Sequence, residues 1–260
     1  MIVCRRHKRK ACCPTVNSTT LRVAWQVALC KAQRRTSISV LLSHLGRRMP
    51  FWDRSLDLVV LTHPEADHVG GLVGMLERYQ VGLVLDSGEE CTNATCERWR
   101  ALIEEGGIPY RRAEAAMGVT VCGAVLLDVL HPPARMMSGT SSDTNNNSVV
   151  LLLQYDQFSA LLTGDVMEEA ERVLHLSGQP LHSLALKVPH HGGDTSLSTS
   201  FLEAIGPELA IISVGADNRF GHPHEPTLEK LDGLPVYRTD LHGNIELVTD
   251  GARYWVRTGR

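Results

Sequence analysis

Short apolar runs separated by polar loops organise most of this chain. The clearest run, residues 56–61, is followed by apolar residues at helical spacing in residues 72–79, which predicts a strand, a tight turn and a helix. Similar runs predict strands at 81–85, two short pieces within 119–130, 148–155, 158–163, 184–188, 209–214, 236–239, 245–248 and 253–256. Amphipathic stretches predict helices at 38–45, 95–105, 168–176, 198–205 and 227–231.

The order of these elements indicates an α/β (α+β) fold. Strands and helices alternate over most of the chain, which favours layered sheets with helices on the outside. Residues 148–155 and 158–163 predict a hairpin, and the polar run 138–147 predicts a loop. The last three strands predict a terminal β-meander.

The first part of the chain differs from the rest in charge. Residues 1–50 contain eleven of the 26 Lys and Arg residues and no Asp or Glu, whereas all 29 acidic residues follow. Residues 1–37 lack a clear period, apart from a patch at 21–29 that predicts one weak helix. A nucleic-acid-binding tail is one interpretation; we favour a disordered leader or a translation artefact. The predicted organisation is therefore a basic leader, 1–37, and a domain, 38–260.

Cysteine usage and hydropathy bear on the compartment. The seven cysteines show no repeating metal spacing, so no disulfide framework is indicated and a reducing compartment is the default. Cys91 and Cys96 are close enough to pair in an oxidising space, but we favour free thiols. No apolar run approaches the ~18–20 residues that span a bilayer. The expectation is a soluble chain, cytoplasmic by default, with any membrane association through a partner.

Chemistry-bearing residues concentrate directly after the first strand. In residues 62–71, His63, Glu65, Asp67 and His68 form the pattern H-x-E-x-D-H. Alternate residues at a strand end project the same way, and the turn brings the last two back toward them. Two imidazoles and two carboxylates suit a divalent metal ion. The alternative, a polar N-cap, explains only Asp67.

Three further loops after apolar strands carry similar residues. Asp165 follows residues 158–163, the pair His190 and His191 follows 184–188, and His222 with His224 lies after 209–214. Two metals about 3.5–4 Å apart can activate water and clamp the attacking and leaving oxygens. Asp165 is the candidate bridging ligand because it comes from a different strand than the first loop. Asp67 is the candidate to orient the attacking water or to take its proton.

Six motifs in order resemble the metallo-β-lactamase fold, and more narrowly the hydrolase domain of ComEC-type DNA-uptake competence proteins. The resemblance covers roughly residues 43 to 257 and rests on LGRRMPFWDR (45–54), LTHPEADHVGG (61–71), NNSVVL (146–151), LTGDV (162–166), LKVPHHG (186–192) and SVGxxNxFGHP (213–223). It implies a four-layer αββα sandwich with the site at one edge between two sheets. It also implies metal-assisted hydrolysis of phosphodiesters during DNA uptake.

Roles for individual residues follow from the resemblance. It implies a first metal motif of His63, Glu65, Asp67 and His68, a bridging Asp165, and metal or phosphate contacts from His190 and His191. His222 would complete the site as a catalytic group beside Asp67, or hold the substrate. Asn147 and Asn218 are the other substrate-binding candidates, with a turn-forming role as the alternative for Asn147. The implied cofactors are two divalent ions, Zn or Mn with Mg as a further candidate. The implied partners are DNA, in single-stranded form, and a separately encoded membrane channel protein.

Two departures from the family pattern matter. Glu65 stands where many metallo-β-lactamases have histidine and the competence family usually has aspartate, which favours Mn or Mg over Zn. The opening hairpin motif DVGQGD and the DGG turn of such domains are missing. We therefore expect the fold to lack its usual N-terminal strands, leaving a sheet edge bare.

Three functions remain open at this point. The favoured one is a nuclease of the metallo-β-lactamase fold. A non-cleaving module that binds DNA or a partner through a degenerate metal site is the second, and a hydrolase of small esters is the third. The excess of acidic residues after residue 50 argues against tight generic DNA binding.

Overall fold

The computed structural model describes residues 2–4, 21–25, 36–121 and 123–260. The strands are β1 (Ile2–Cys4), β2 (Leu21–Trp25), β3 (Ser55–Leu56), β4 (Leu58–Leu61), β5 (Gln80–Val81), β6 (Val84–Asp86), β7 (Tyr110–Arg112), β8 (Gly118–Val121), β9 (Val125–His131), β10 (Val150–Tyr155), β11 (Phe158–Leu162), β12 (Ala185–Lys187), β13 (Leu209–Ile212), β14 (Val236–Arg238), β15 (Ile245–Thr249) and β16 (Tyr254–Thr258). The helices are α1 (Thr36–Arg48), α2 (Ala66–Leu76), α3 (Ala94–Glu105), α4 (Asp143–Asn146), α5 (Glu168–Leu176), α6 (Thr199–Ile205), α7 (Glu225–Lys230) and α8 (Thr239–His242). Within these ranges no helix is both long and apolar enough to cross a membrane.

Two sheets stack face to face at the centre. One has the order β14-β13-β12-β11-β10-β9-β8, and the other has the order β1-β4-β6-β7. Neighbouring residues of β4 point to opposite sides: Leu58 and Val60 pack into the core between the sheets, whereas Val59 packs under helices α1 to α3. Leu152 of β10 likewise packs outward against α5 and α6. The central strands of both sheets are thus buried on both faces, which gives the predicted αββα sandwich.

The topology brings the chemistry-bearing loops to one edge. Strands β11, β12, β13 and β14 are parallel, so the loops after β11, β12 and β13 leave from the same edge of the larger sheet. The loop after β4 joins them from the other sheet, because the Val149 N–H donates to the Thr62 carbonyl at 2.9 Å. The order of strands therefore places four polar loops together.

The described N-terminal segments add strands to the edges. β1 pairs antiparallel with β4, with Ile2 opposite Val60, and β2 pairs antiparallel with β15, with Leu21 opposite Thr249. We expected the leader to add no strands and a sheet edge to be left bare. The structure instead pairs these two segments of the leader with β4 and β15. The boundary at residue 38 stays a prediction, with α1 beginning at Thr36.

Several element predictions need correction. The described part of the 21–29 patch is a strand, and residues 26–29 lie outside the described ranges. The predicted loop 138–147 contains the short helix α4, whose start is capped by the Ser142 hydroxyl. The predicted terminal meander is broken, because β14 joins the larger sheet beside β13 and α8 separates it from the β15–β16 hairpin. Apolar pattern alone did not reveal this change of sheet.

The prediction of free thiols is wrong for one pair. Cys91 and Cys96 are joined by a disulfide, with their Cα atoms 5.3 Å apart. Cys96 lies in the first turn of α3, where its N–H donates to the side chain of Asn93 at 3.0 Å. This capped turn brings Cys96 back toward Cys91, five residues earlier in the sequence.

Candidate metal centre

The end of β4 and the start of α2 position the first two histidines. His63 is completely buried, and its ring centroid lies 4.0 Å from that of His68. The Thr62 hydroxyl lies 3.2 Å from His63 Nδ1 and 3.3 Å from His68 Nδ1. One oxygen can accept both Nδ1–H groups, which leaves each Nε2 lone pair available.

Asp165 connects this loop with the loop after β12. Its Oδ2 lies 3.3 Å from His68 Nε2 and 2.9 Å from His191 Nε2. Asp67, in the first turn of α2, places its Oδ2 3.7 Å from His68 Nε2 and 3.8 Å from His191 Nε2. Segments distant in sequence therefore converge on one cluster, as predicted.

The donor set fits divalent metal ions. Two triads have ligand atoms close enough to share an ion: His63, His68 and Asp165, and Asp67, His68 and His191. The Nε2 atoms of His63 and His191 are buried without a hydrogen-bond partner. For His191, two lone-pair atoms face each other when Nδ1 carries the proton, since Nε2 lies 2.9 Å from Asp165 Oδ2. Buried nitrogens left unpaired beside carboxylates are what a metal ion would satisfy.

A backbone contact fixes the ring of His191. Its Nδ1 lies 2.6 Å from the carbonyl oxygen of Ser213, which can only accept, so Nδ1 carries the proton. Nε2 is then the nitrogen available to bind a metal, and it faces Asp165. This arrangement is the outer hydrogen bond that normally orients a metal-binding histidine.

The charges of the cluster favour metal binding. Burial opposes ionisation of Asp165, but His191, His68 and Lys187 outweigh it and hold the pKa of this carboxyl well below its usual value. Burial, together with the charge of His68, lowers the pKa of His63 well below its usual value. Near neutral pH the site thus offers an ionised carboxylate and a neutral imidazole, the protonation states in which both groups bind metal.

Two further polar side chains, those of Ser148 and Lys187, hold the candidate ligands in place. The Ser148 hydroxyl lies 3.1 Å from His63 Nδ1 and accepts the Asp165 N–H at 3.2 Å. The Lys187 ammonium donates to the Gly164 carbonyl at 2.7 Å and lies 3.5 Å from Asp165 Oδ1. Lys187, with a side chain that is only 14% exposed, is thus a partner of the central carboxylate.

Other predicted ligands lie at the rim. Glu65 is exposed at the N-cap of α2, outside both triads. His190 also lies outside them, and its Nδ1 is 3.3 Å from the Thr195 hydroxyl. His222 places its ring centroid 5.4 Å from that of His190, and burial lowers its pKa to about 4. Metal binding by Glu65 and His190 stays a prediction, as does the catalytic or substrate contact of His222.

The two predicted substrate-binding asparagines have structural contacts. Asn147 is completely buried, and its amide donates to Glu89 Oε1 at 2.6 Å and to the Met137 carbonyl at 2.9 Å. Asn218 closes the loop before His222 by donating to the Gly215 and His222 carbonyls. These contacts support a turn-forming role for Asn147, and substrate binding by either residue stays a prediction.

The backbone beside Ser148 depends on a buried histidine, and we expect this to make folding sensitive to acid. His131 Nε2–H donates to the Asn146 carbonyl at 2.7 Å, and burial lowers the His131 pKa from 6.5 to about 4. Between these values the unfolded chain binds a proton that the folded chain does not. The free energy of unfolding should therefore fall by up to about 3 kcal/mol as the pH drops from 6.5 toward 4.

Urea unfolding of metal-free protein at about pH 7 and pH 5 measures this effect. His131→Gln, which keeps a donor but does not titrate, should remove about 2 kcal/mol of the difference in unfolding free energy between these two pH values. The exposed His175→Gln, in the last turn of α5, is the matched control. A His131→Gln variant with the full wild-type slope would contradict the assignment.

Comparison with known proteins agrees with this fold. The family model described as Metallo-beta-lactamase superfamily matches residues 53–216. ComE operon protein 3 of Bacillus subtilis is 29% identical over 195 residues, covering 74% of this chain and 24% of that protein. Competence protein ComA of Neisseria gonorrhoeae is 30% identical over 203 residues, covering 74% of this chain and 25% of that protein. This chain thus spans about a quarter of the length of these relatives.

Among solved structures, the metallo-beta-lactamase fold protein YhfI from Bacillus subtilis aligns with 10% identity and a TM-score of 0.48, covering 84% of this chain and 83% of that chain. The matched family region, 53–216, contains β4, α2, β11 and β12 and with them His63, His68, Asp165 and His191. On the family match over most of its length, this chain belongs to the metallo-beta-lactamase superfamily.

Proposed function

We propose that this chain is a divalent-metal-dependent phosphodiesterase that cleaves DNA, with a preference for a single strand. The observation that carries the proposal is Asp165 Oδ2, which lies within 3.3 Å of His68 Nε2 and His191 Nε2. Two ligand triads that share His68 and meet around this carboxylate suit a pair of divalent ions. The mixture of imidazoles and carboxylates accommodates Zn or Mn, with Mg as a further candidate.

The triads, Asp67 and His222 would have different roles in such a reaction. The ions held by the two triads would supply Lewis-acid activation of water and neutralise charge on the phosphodiester. Asp67 has more of its side chain exposed than Asp165, 26% against 4%, so it can reach water in the open part of the site. It is placed to orient the attacking water or to accept its proton. His222 at the rim, neutral near pH 7, would contact the substrate.

The choice of DNA rests on the relatives. One is named Competence protein ComA, and another is named Recombination protein 2, from Haemophilus influenzae. We also propose that a membrane channel protein, the second partner implied by the resemblance, acts with this chain in DNA uptake.

Metal removal and restoration test the proposal. Protein stripped of metal with a chelator should not cut a single-stranded oligonucleotide, and added Mn²⁺ should restore cleavage. The reason is that the proposed activation of water depends on the ions held by the triads. An Asp165→Ala variant purified in the same way controls for a contaminating nuclease and should stay inactive with Mn²⁺. Gel analysis of the products measures both.

Two outcomes would replace the proposal. Binding of the oligonucleotide without cleavage in Mn²⁺, Zn²⁺ or Mg²⁺ would make the chain a DNA-binding module. Hydrolysis of a small phosphodiester or carboxylic ester, with intact DNA, would make it a small-ester hydrolase.

A further inference from the structure

An exposed aromatic side chain stands at the mouth of the metal centre. Phe220 is 51% exposed, and its ring is stacked against His222, with ring centroids 5.7 Å apart and planes at 23°. The loop that carries it is held from within, because the Asn218 side chain bonds both the N–H and the carbonyl of His222 at 2.9 and 2.8 Å. These hydrogen bonds thus order the loop that holds the apolar ring of Phe220 in a solvent-exposed position.

A row of rings leads from this position to the ligands. The His222 ring is stacked against His191 in turn, with centroids 6.2 Å apart and planes at 22°. Phe220, His222 and His191 also line one pocket, together with Asn218, Gly215 and Val214. A group stacked on Phe220 would therefore be separated from His191, a candidate metal ligand, by the ring of His222 alone.

The charge beside the ring indicates what would rest there. The guanidinium of exposed Arg219 lies over the Phe220 ring, 4.8 Å from its centroid. Aromatic rings and guanidinium planes both stack on nucleobases, and the cation also attracts the phosphate backbone. A base-paired duplex keeps its bases stacked on each other, so only an unpaired base offers its face.

We propose that Arg219 and Phe220 form a binding site for an unpaired nucleobase, which sets a neighbouring phosphodiester over the metal centre. The inference rests on the proposed function for its substrate class and adds the residues that select single strands. Neither residue is a ligand in the two triads.

A second exposed aromatic pair supplies the control. Phe51 and Trp52 are 85% and 74% exposed, with ring centroids 4.8 Å apart. They precede β3 and β4, whereas His63 follows β4, so they lie at the opposite end of these strands from the metal loop. Loss of Phe51 removes a comparable ring without touching the mouth of the site.

The test compares oligothymidylate with an abasic oligonucleotide of the same length, so that only the bases differ. Fluorescence anisotropy measures binding in Mn²⁺ on an Asp67→Asn background, and cleavage is measured with Asp67 intact. Phe220→Ala should weaken oligothymidylate binding by about ten-fold or more and leave abasic binding unchanged. Phe220→Trp should restore oligothymidylate binding, and Phe51→Ala should leave the binding of both oligonucleotides unchanged.

The outcomes separate this inference from the proposed function. If the otherwise unmodified protein cleaves both oligonucleotides and Phe220→Ala affects them equally or not at all, the base site is overturned and the nuclease stands. If it cleaves neither, but oligothymidylate binding still depends on Phe220, the base site stands and the nuclease falls. Binding that ignores both the bases and Phe220, without cleavage, overturns both.

Discussion

Replacing Asp165 with alanine is expected to remove metal ions and hydrolytic activity together. Its carboxylate lies close to both His68 and His191. Asp165 is a member of the first triad, and it also faces His191, a member of the second. Loss of an outer hydrogen-bond partner usually costs about 10–100-fold in metal affinity. Loss of this central ligand should cost more, so metal analysis after dialysis should find the site depleted and cleavage of single-stranded DNA undetectable.

The same substitution should destabilise the fold. Lys187, with a side chain that is 14% exposed, would keep its ammonium without the carboxylate, and breaking a buried ion pair from one side costs at most about 3–5 kcal/mol. Asp165→Asn, which keeps the shape, separates the loss of charge from the loss of packing. The exposed Asp232→Ala, an aspartate outside both triads, is the matched control. An Asp165→Ala protein that retains its metal would contradict the assigned geometry.

The sequence pattern was sufficient to predict the convergence of the main candidate ligands. His63, Asp165 and His191 each follow an apolar strand, and loops after parallel strands leave from the same edge of a sheet. Those are local signals combined with one general rule of topology. They predict which loops meet, and the structure brings these side chains together as expected.

The same pattern could not distinguish neighbouring candidates. His190 and His191 are adjacent and chemically identical, yet only His191 belongs to a triad. Both residues have positive φ, 44° and 55°, in a 3-10 turn, and this backbone sends the two rings in different directions. The residue types alone do not predict positive φ at two consecutive histidines.

Partners contributed by other strands were equally hidden. Ser148 reaches His63 across 85 positions of sequence, and Lys187 reaches Gly164 across 23. A serine in a turn or a lysine at a strand end has many ordinary explanations. Pairing of β1 with β4 and of β2 with β15 likewise depends on contacts between distant segments, which local composition does not encode.

Asp67 is the residue whose loss should separate metal binding from turnover. It stands farther from His68 and His191 than Asp165 does, at 3.7 and 3.8 Å, and it is more exposed. We expect Asp67→Asn to lower kcat for DNA cleavage by about 10²–10⁴-fold, the usual worth of a positioned general base. KM should change little, because Asn keeps the shape and oxygen of the side chain while losing its ability to accept a proton.

Metal content decides between the two roles that Asp67 has been given. If Asp67 chiefly handles the proton of the attacking water, the Asn variant should keep its ions, since His63, His68, Asp165 and His191 remain. Glu77→Gln, a carboxylate exchanged at the far end of the same helix, is the matched control and should behave as the unmodified protein. Parallel loss of ions and activity in Asp67→Asn would instead make Asp67 an essential ligand, and undiminished kcat would remove it from the reaction altogether.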